Sequence, residues 1–150
     1  NYGPKNFEDL THFIEQWPTD VPLSVELRHT DWYTDASIAK ELNDMLAQNK
    51  VCHTITDTAG RRDIIHMRLT NNQCFIRFTG ANHPSDVDRL DEWFERLTEW
   101  KEQGIEQINI FIHQTVEKDL QMLSARLAER INKEWGYNLT VPGGEQGSLF

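Results

Sequence analysis

Leu23-Ser24-Val25-Glu26-Leu27-Arg28 decides how this chain is read. Its odd positions are apolar, and its even positions end in a carboxylate and a guanidinium. Side chains alternate faces along a strand, so Glu26 and Arg28 share one face at the C-terminal end. Cys74-Phe75-Ile76-Arg77-Phe78-Thr79 repeats the design. There, Arg77 and Thr79 take one face, and Ile76 and Phe78 take the other. Charge at the end of an otherwise buried strand needs a partner or a use.

Working outward, Asn6 with Asp9 reads as a helix start, followed by Phe7, Leu10, Phe13, Ile14 and Trp17 at helical spacing and a stop at Pro18. A strand is predicted over 22–28. Thr34 caps a second helix, with Ile38, Leu42, Met45 and Leu46 on one stripe and Asn49 and Lys50 at its end. A strand follows over 51–56, then a polar loop over 57–72 with room for one helical turn, then a strand over 73–79. Ser85 and Asp88 make a capping-box pattern ahead of Val87, Leu90, Trp93, Phe94, Leu97 and Trp100, and Gly104 ends that helix. The fourth strand covers 108–113. The last helix carries Val116, Leu120, Leu123, Leu127 and Ile131 and ends by Gly136. A short edge strand is predicted over 138–141. The domain is expected to span 1–141, with 142–150 a flexible tail.

Strands alternating with helices over short links indicate parallel βα repeats, an α/β class. An open doubly wound sheet and part of a (β/α) barrel both fit. No Gly-rich phosphate turn follows a strand, and polar residues on strand interiors favour the barrel, whose inward positions turn polar near the rim. By parity the helix-facing set is Leu23, Val25, Leu27, Val51, Ile55, Ile76, Phe78, Ile108, Ile110 and Ile112. The central set is Ser24, Glu26, Arg28, Cys52, Thr54, Thr56, Phe75, Arg77, Thr79, Asn109, Phe111 and His113. His53 has helix-facing parity and is expected to be packed.

The 150 residues suit about one domain, and the net charge of -9 argues against a general nucleic-acid surface. No apolar run approaches the ~20 residues of a membrane span, and no signal peptide is visible. Cys52 and Cys74 sit in strand-like runs and read as core thiols of a reducing, cytoplasmic setting. The chain begins at Asn1, with a helix ahead of any strand, and we read that start as trimmed.

Two guanidiniums, Arg28 and Arg77, beside one carboxylate, Glu26, leave surplus positive charge suited to a small anion, phosphate or carboxylate. Glu26, Asp57 or His113 would serve as general base if the site is hydrolytic. Trp32 is a candidate wall of the ligand pocket. A purely structural ion network that fills the interior is the competing expectation. No zinc or nucleophile-elbow spacing occurs, no metal is assigned, and the residues name no cofactor.

Val25-Glu26-Leu27-Arg28-His29 with Trp32, then Asp57, then Phe75-Ile76-Arg77-Phe78-Thr79-Gly80, resembles the YecE-like family, domain of unknown function 72. The resemblance implies a TIM-barrel-like α/β fold, no established activity, and family positions at Glu26, Arg28, Trp32, Asp57, Arg77 and Gly80. It implies that this chain is the C-terminal half of the family domain, since a full barrel needs ~250 residues. Two departures stand out: Thr79 replaces the usual His before the glycine, and Ile112-His113-Gln114 replaces the usual Phe-Asn-Asn. A half barrel would expose strand edges, so self-association is expected. The tail Gln146-Gly147-Ser148-Leu149-Phe150 resembles the pentapeptide with which bacterial proteins dock on the DNA sliding clamp. Gln146, Leu149 and Phe150 are its candidate contacts, and a non-catalytic adaptor in DNA maintenance is the function this implies.

Overall fold

Alternation along 73–80 is visible in burial. Cys74, Ile76, Phe78 and Gly80 are buried, whereas Gln73, Phe75, Arg77 and Thr79 keep part of their surface. These residues form one strand of a computed structural model that describes residues 2–143. The elements are α1 (Phe7–Glu15), β1 (Ser24–Val25), α2 (Asp31–Thr34), α3 (Ala36–Gln48), β2 (Cys52–His53), β3 (Ile55–Thr58), β4 (Gln73–Gly80), α4 (Ser85–Glu102), β5 (Gln107–Gln114) and α5 (Leu120–Trp135). Strands β1 and β2 pair in parallel, with Ser24 opposite Cys52 and Val25 opposite His53. A second sheet has the order β3-β4-β5. The class is α/β, and the described strands form these two sheets rather than a closed barrel.

The chain divides into two units. The first is Asn1–Phe78 with Gly104–Phe111; the second is Thr79–Gln103 with Ile112–Phe150. In the first unit, Leu10 and Ile14 of α1 and Leu42, Met45 and Leu46 of α3 share a core with Leu27, Trp32 and Val51. Their helical spacing presents one apolar stripe per helix. In the second unit, Leu90, Trp93, Phe94, Leu97 and Trp100 of α4 and Leu123, Leu127 and Ile131 of α5 are buried. Arg126 and Arg130 of α5 pair with Asp91 of α4 at 2.6 and 3.6 Å.

Several sequence expectations change. The strand expected over 22–28 is reduced to β1, because the carbonyls of Leu27 and Arg28 accept from the Tyr33 hydroxyl (2.7 Å) and Arg61 Nη2 (3.3 Å) instead of a neighbouring strand. The strand over 51–56 becomes β2 and β3. Its break lies at Thr54, whose amide donates to Val25 (2.9 Å) and whose carbonyl faces His66 Nε2 (3.1 Å). Asp57 and Thr58, expected in a loop, extend β3. Asp35, not Thr34, caps α3, accepting from the amides of Ser37 and Ile38. Ser85 makes no side-chain cap for α4; Asp86 instead collects the loop amides. No strand forms over 138–141. The Asn132 side chain satisfies that backbone by accepting from Leu139 N–H (2.6 Å) and donating to its carbonyl (2.9 Å). Gly136 does end α5, at φ 72, where a left-handed residue is needed.

Candidate functional site

Glu26 follows β1, and its carboxylate gathers partners from two other strands of the first unit. Arg77 Nη1 of β4 donates to Oε2 at 3.2 Å and lies 3.5 Å from Oε1. The Thr56 hydroxyl of β3 donates to Oε1 at 3.1 Å. Arg28 Nε stands 3.6 Å from the same oxygen. The strand alternation read from the sequence therefore brings Glu26, Arg28, Arg77 and Thr56 to one place. The side chains of Arg28 and Arg77 are 54% and 39% exposed, that of Glu26 24%. Two guanidiniums against one carboxylate leave one net positive charge in a half-exposed setting, where it is only partly screened. The other Arg28 nitrogens find no acceptor among the described residues.

Beside this cluster a cavity of about 640 Å³ opens, bounded by Glu26, Leu27, Arg28 and Arg61 and by Tyr2, Leu10 and Phe13. Phe75 and Phe111, both of the expected central set, stack with ring centroids 5.0 Å apart.

The remaining sequence candidates fall elsewhere. Asp57 is buried on β3 and pairs with Arg62 Nη1 at 3.5 Å. It follows Thr56, and successive strand side chains take opposite faces. Trp32 has no exposed surface, its ring N–H donates to the Tyr2 carbonyl at 3.0 Å, and it packs on Phe7. It therefore positions Tyr2 rather than offering a wall to a ligand. Thr79, Gly80 and His113 belong to the second unit. His113 is exposed on β5. A Cβ on Gly80 would lie 2.6 Å from Asp86 Oδ2 and from Gln114 Nε2, so the glycine is required by that close approach. Gln146, Leu149 and Phe150 lie outside the described residues.

Two clusters were not singled out from the sequence. In the first unit, His53 and His66 stack with centroids 3.9 Å apart, with Tyr33 alongside. Asn43 donates through Nδ2 to the Ala39 carbonyl, which turns its Oδ1 toward His53 Nδ1 at 3.0 Å. That orientation of the amide assigns the proton to His53 Nδ1. Burial and the imidazole of His66 lower His53 to about 3. Burial lowers His66 to about 4, against the hydrogen bond to Thr54. Both rings are neutral near pH 7. Burial and then the charge of Glu26 push the Tyr33 phenol up. Helix-facing parity signalled that His53 is packed; its stacking partner in the polar segment had no such signal. Both cysteines are free and buried, and burial pushes Cys74 up to about 12, so it is a neutral thiol. In the second unit, Asp86 joins Ala81, His83, Gln114 and Arg89.

A family model described as "Protein of unknown function DUF72" matches residues 1–145. The chain belongs to the DUF72 family. This DUF72 chain is similar to the UPF0759 protein YecE of Escherichia coli strain K12 and that of Escherichia coli O157:H7. Each is 27% identical, over 66% of this chain and 43% of the relative. The chain thus spans less than half the length of those curated relatives. Among solved structures, a DUF72 family protein of Enterococcus faecalis V583 superposes with a TM-score of 0.69 at 18% identity, over 88% of this chain and 57% of that one. A DUF72 family protein of Thermotoga maritima MSB8 gives 0.67 at 18% identity, over 88% and 54%. These two structures share the fold. Among the described residues, no helix is long and apolar enough to cross a membrane.

Proposed function

We propose that the first unit binds a small oxyanion, phosphate or carboxylate, at the Glu26–Arg28–Arg77 cluster. One observation carries the reading: a single carboxylate is shared by two guanidiniums that both keep exposed surface. Arginine's planar fork suits a phosphate or carboxylate head. Glu26 orients Arg77 through its two oxygens, and Thr56 fixes the carboxylate in turn. Should the bound anion be hydrolysed, Glu26 is the base nearest to it; Asp57 and His113 are secondary candidates. Thr79 and Gly80 are further candidates for ligand contact, Gly80 as a family position and Thr79 in place of the family's usual His.

The test is a titration of inorganic phosphate into the 150-residue chain, followed by calorimetry. Saturable binding that Arg77→Gln abolishes while the unfolding midpoint holds supports the site. Absence of heat at tens of millimolar phosphate ends this reading.

We further read the chain as part of a TIM-barrel-like fold and as cytoplasmic, which accords with its two free buried cysteines. The relatives' greater length and the edge positions of β1 and β5 support self-association. A monomer by light scattering at high concentration would refute that association. The tail Gln146-Gly147-Ser148-Leu149-Phe150 supports a second function, docking on the DNA sliding clamp as a non-catalytic adaptor. A labelled tail peptide showing no polarisation change with high-micromolar clamp removes it.

A further inference from the structure

The geometry points to a ligand with two parts: an oxyanion head and an apolar body about one ring in size. This rests on the anion reading above and names the class of ligand. The cavity beside Glu26 and Arg28 has a volume of about 640 Å³, within the range of small organic ligands and far more than a bare phosphate fills.

Its lining is mixed. Arg28, His29, Thr30 and Arg61 are among its polar residues, and Tyr2, Leu10, Phe13 and Leu27 among its apolar ones. Leu10 and Leu27 belong to the core, 4% and 5% exposed. Tyr2 and Phe13 are large apolar residues that remain 46% and 50% exposed. An aromatic or branched aliphatic group seated between them would remove that surface from water.

Arg61 comes from the polar segment 57–72. Its Nη2 donates to the Arg28 carbonyl at 3.3 Å, and its Nε donates to Asp63 at 3.0 Å. Those two bonds hold the guanidinium at the cavity beside Arg28. The Glu26 carboxylate also borders the cavity, but Arg77, Arg28 and Thr56 already occupy its oxygens. Guanidinium donors and apolar side chains therefore line the same cavity. A neutral apolar molecule would leave the arginines unused; a bare anion would leave the rings wet.

Calorimetry on the full chain in a buffer free of oxyanions compares phenyl phosphate with inorganic phosphate, phenylacetate with acetate, and benzyl alcohol alone. In at least one pair the ring-bearing anion is expected to bind about tenfold tighter, the worth of burying part of a ring. Phe13→Ala is expected to erase that gap without weakening the bare anion. Arg61→Gln is expected to weaken the ring-bearing anion several-fold. Should Phe13→Ala not fold, Tyr2→Ala gives the same readout. Equal affinities within both pairs overturn this inference and leave the anion site standing. A gap that survives loss of the aromatic side chain overturns it as well, as does benzyl alcohol binding as tightly as phenyl phosphate. If no anion binds, the underlying site falls too.

Discussion

Each unit has a carboxylate held by arginine, and the two differ in what is left over. Asp86 is buried and accepts from the amides of Ala81 (2.9 Å) and His83 (3.2 Å), from Gln114 Nε2 (3.4 Å) and from Arg89 Nη1 (3.1 Å). Burial alone would raise its carboxyl, but these donors hold it below the ordinary aspartate value. One carboxylate meets one guanidinium, and its four donor residues all come from the second unit. Glu26 is a quarter exposed and meets two guanidiniums, each of which still faces water. The first arrangement fixes a loop; the second leaves two guanidiniums partly exposed, which is what the proposed anion site rests on. Ion networks that look alike in sequence separate by saturation and exposure.

The largest expected effect lies on the closed cluster. Asp86→Asn removes the charge opposite the mostly buried Arg89, which keeps the Thr79 carbonyl among its partners, and is expected to cost about 3–5 kcal/mol of stability, read by urea unfolding. Gly80→Ala acts at the same place, since its Cβ meets Asp86 and Gln114 at 2.6 Å, and is expected to lower the midpoint in the same assay. A loss under about 1 kcal/mol for Asp86→Asn would erase the contrast with Glu26.

Next in size is a pH effect from the stacked histidines, which lie in the same unit as Glu26. Their folded pKa values, about 3 for His53 and about 4 for His66, are below the unfolded value of 6.5. The unfolded chain therefore takes up protons first as pH falls. Stability from the neutral pair is complete above about pH 6.5 and is lost as pH falls toward 4. Between pH 7 and 5 the loss should be about 2 kcal/mol per histidine. Unfolding free energies across that window check it, and a flat profile would contradict the burial of the pair. His66→Gln should halve the slope.

Much of this arrangement was legible in the sequence because strand alternation is a local rule. It put Glu26, Arg28 and Arg77 on one face, and Ile76 and Phe78 on the other, from residue order alone. Pro18, Gly104 and Gly136 marked helix ends for equally local reasons. What stayed hidden depends on distant partners. Tyr33 and Arg61 take the carbonyls that would have prolonged β1. Asp86 reaches back to the loop before its helix, which a capping-box pattern at Ser85 and Asp88 does not foretell. Trp32 resembles a pocket residue by position, yet its indole is spent on the Tyr2 carbonyl. Residue type gave no sign that His66 would stack on His53.

A smaller change sharpens the comparison. Glu26→Gln leaves Arg28 and Arg77 facing a neutral amide at a half-exposed place, so the expected cost is about 1 kcal/mol. If the cluster is ligand-ready, phosphate affinity should rise several-fold, since a competing carboxylate is gone and net charge grows by one. A loss of several kcal/mol with no gain in affinity would make Glu26 a second Asp86.

The smallest stability change is expected for Arg77→Gln. Its side chain is 39% exposed and, among the described residues, bonds Glu26 alone, through Nη1 at 3.2 and 3.5 Å, so removing its charge should shift stability by less than about 1 kcal/mol. Glu26 would keep the Thr56 hydroxyl and Arg28, so no buried charge is stranded. The same substitution takes the net charge of the cluster from one positive to zero and removes one of its two guanidinium forks. Phosphate binding should then fall below detection while urea unfolding scarcely moves. That dissociation is the signature of a residue kept for a ligand: Asp86 cannot give it, because every one of its donors belongs to the fold.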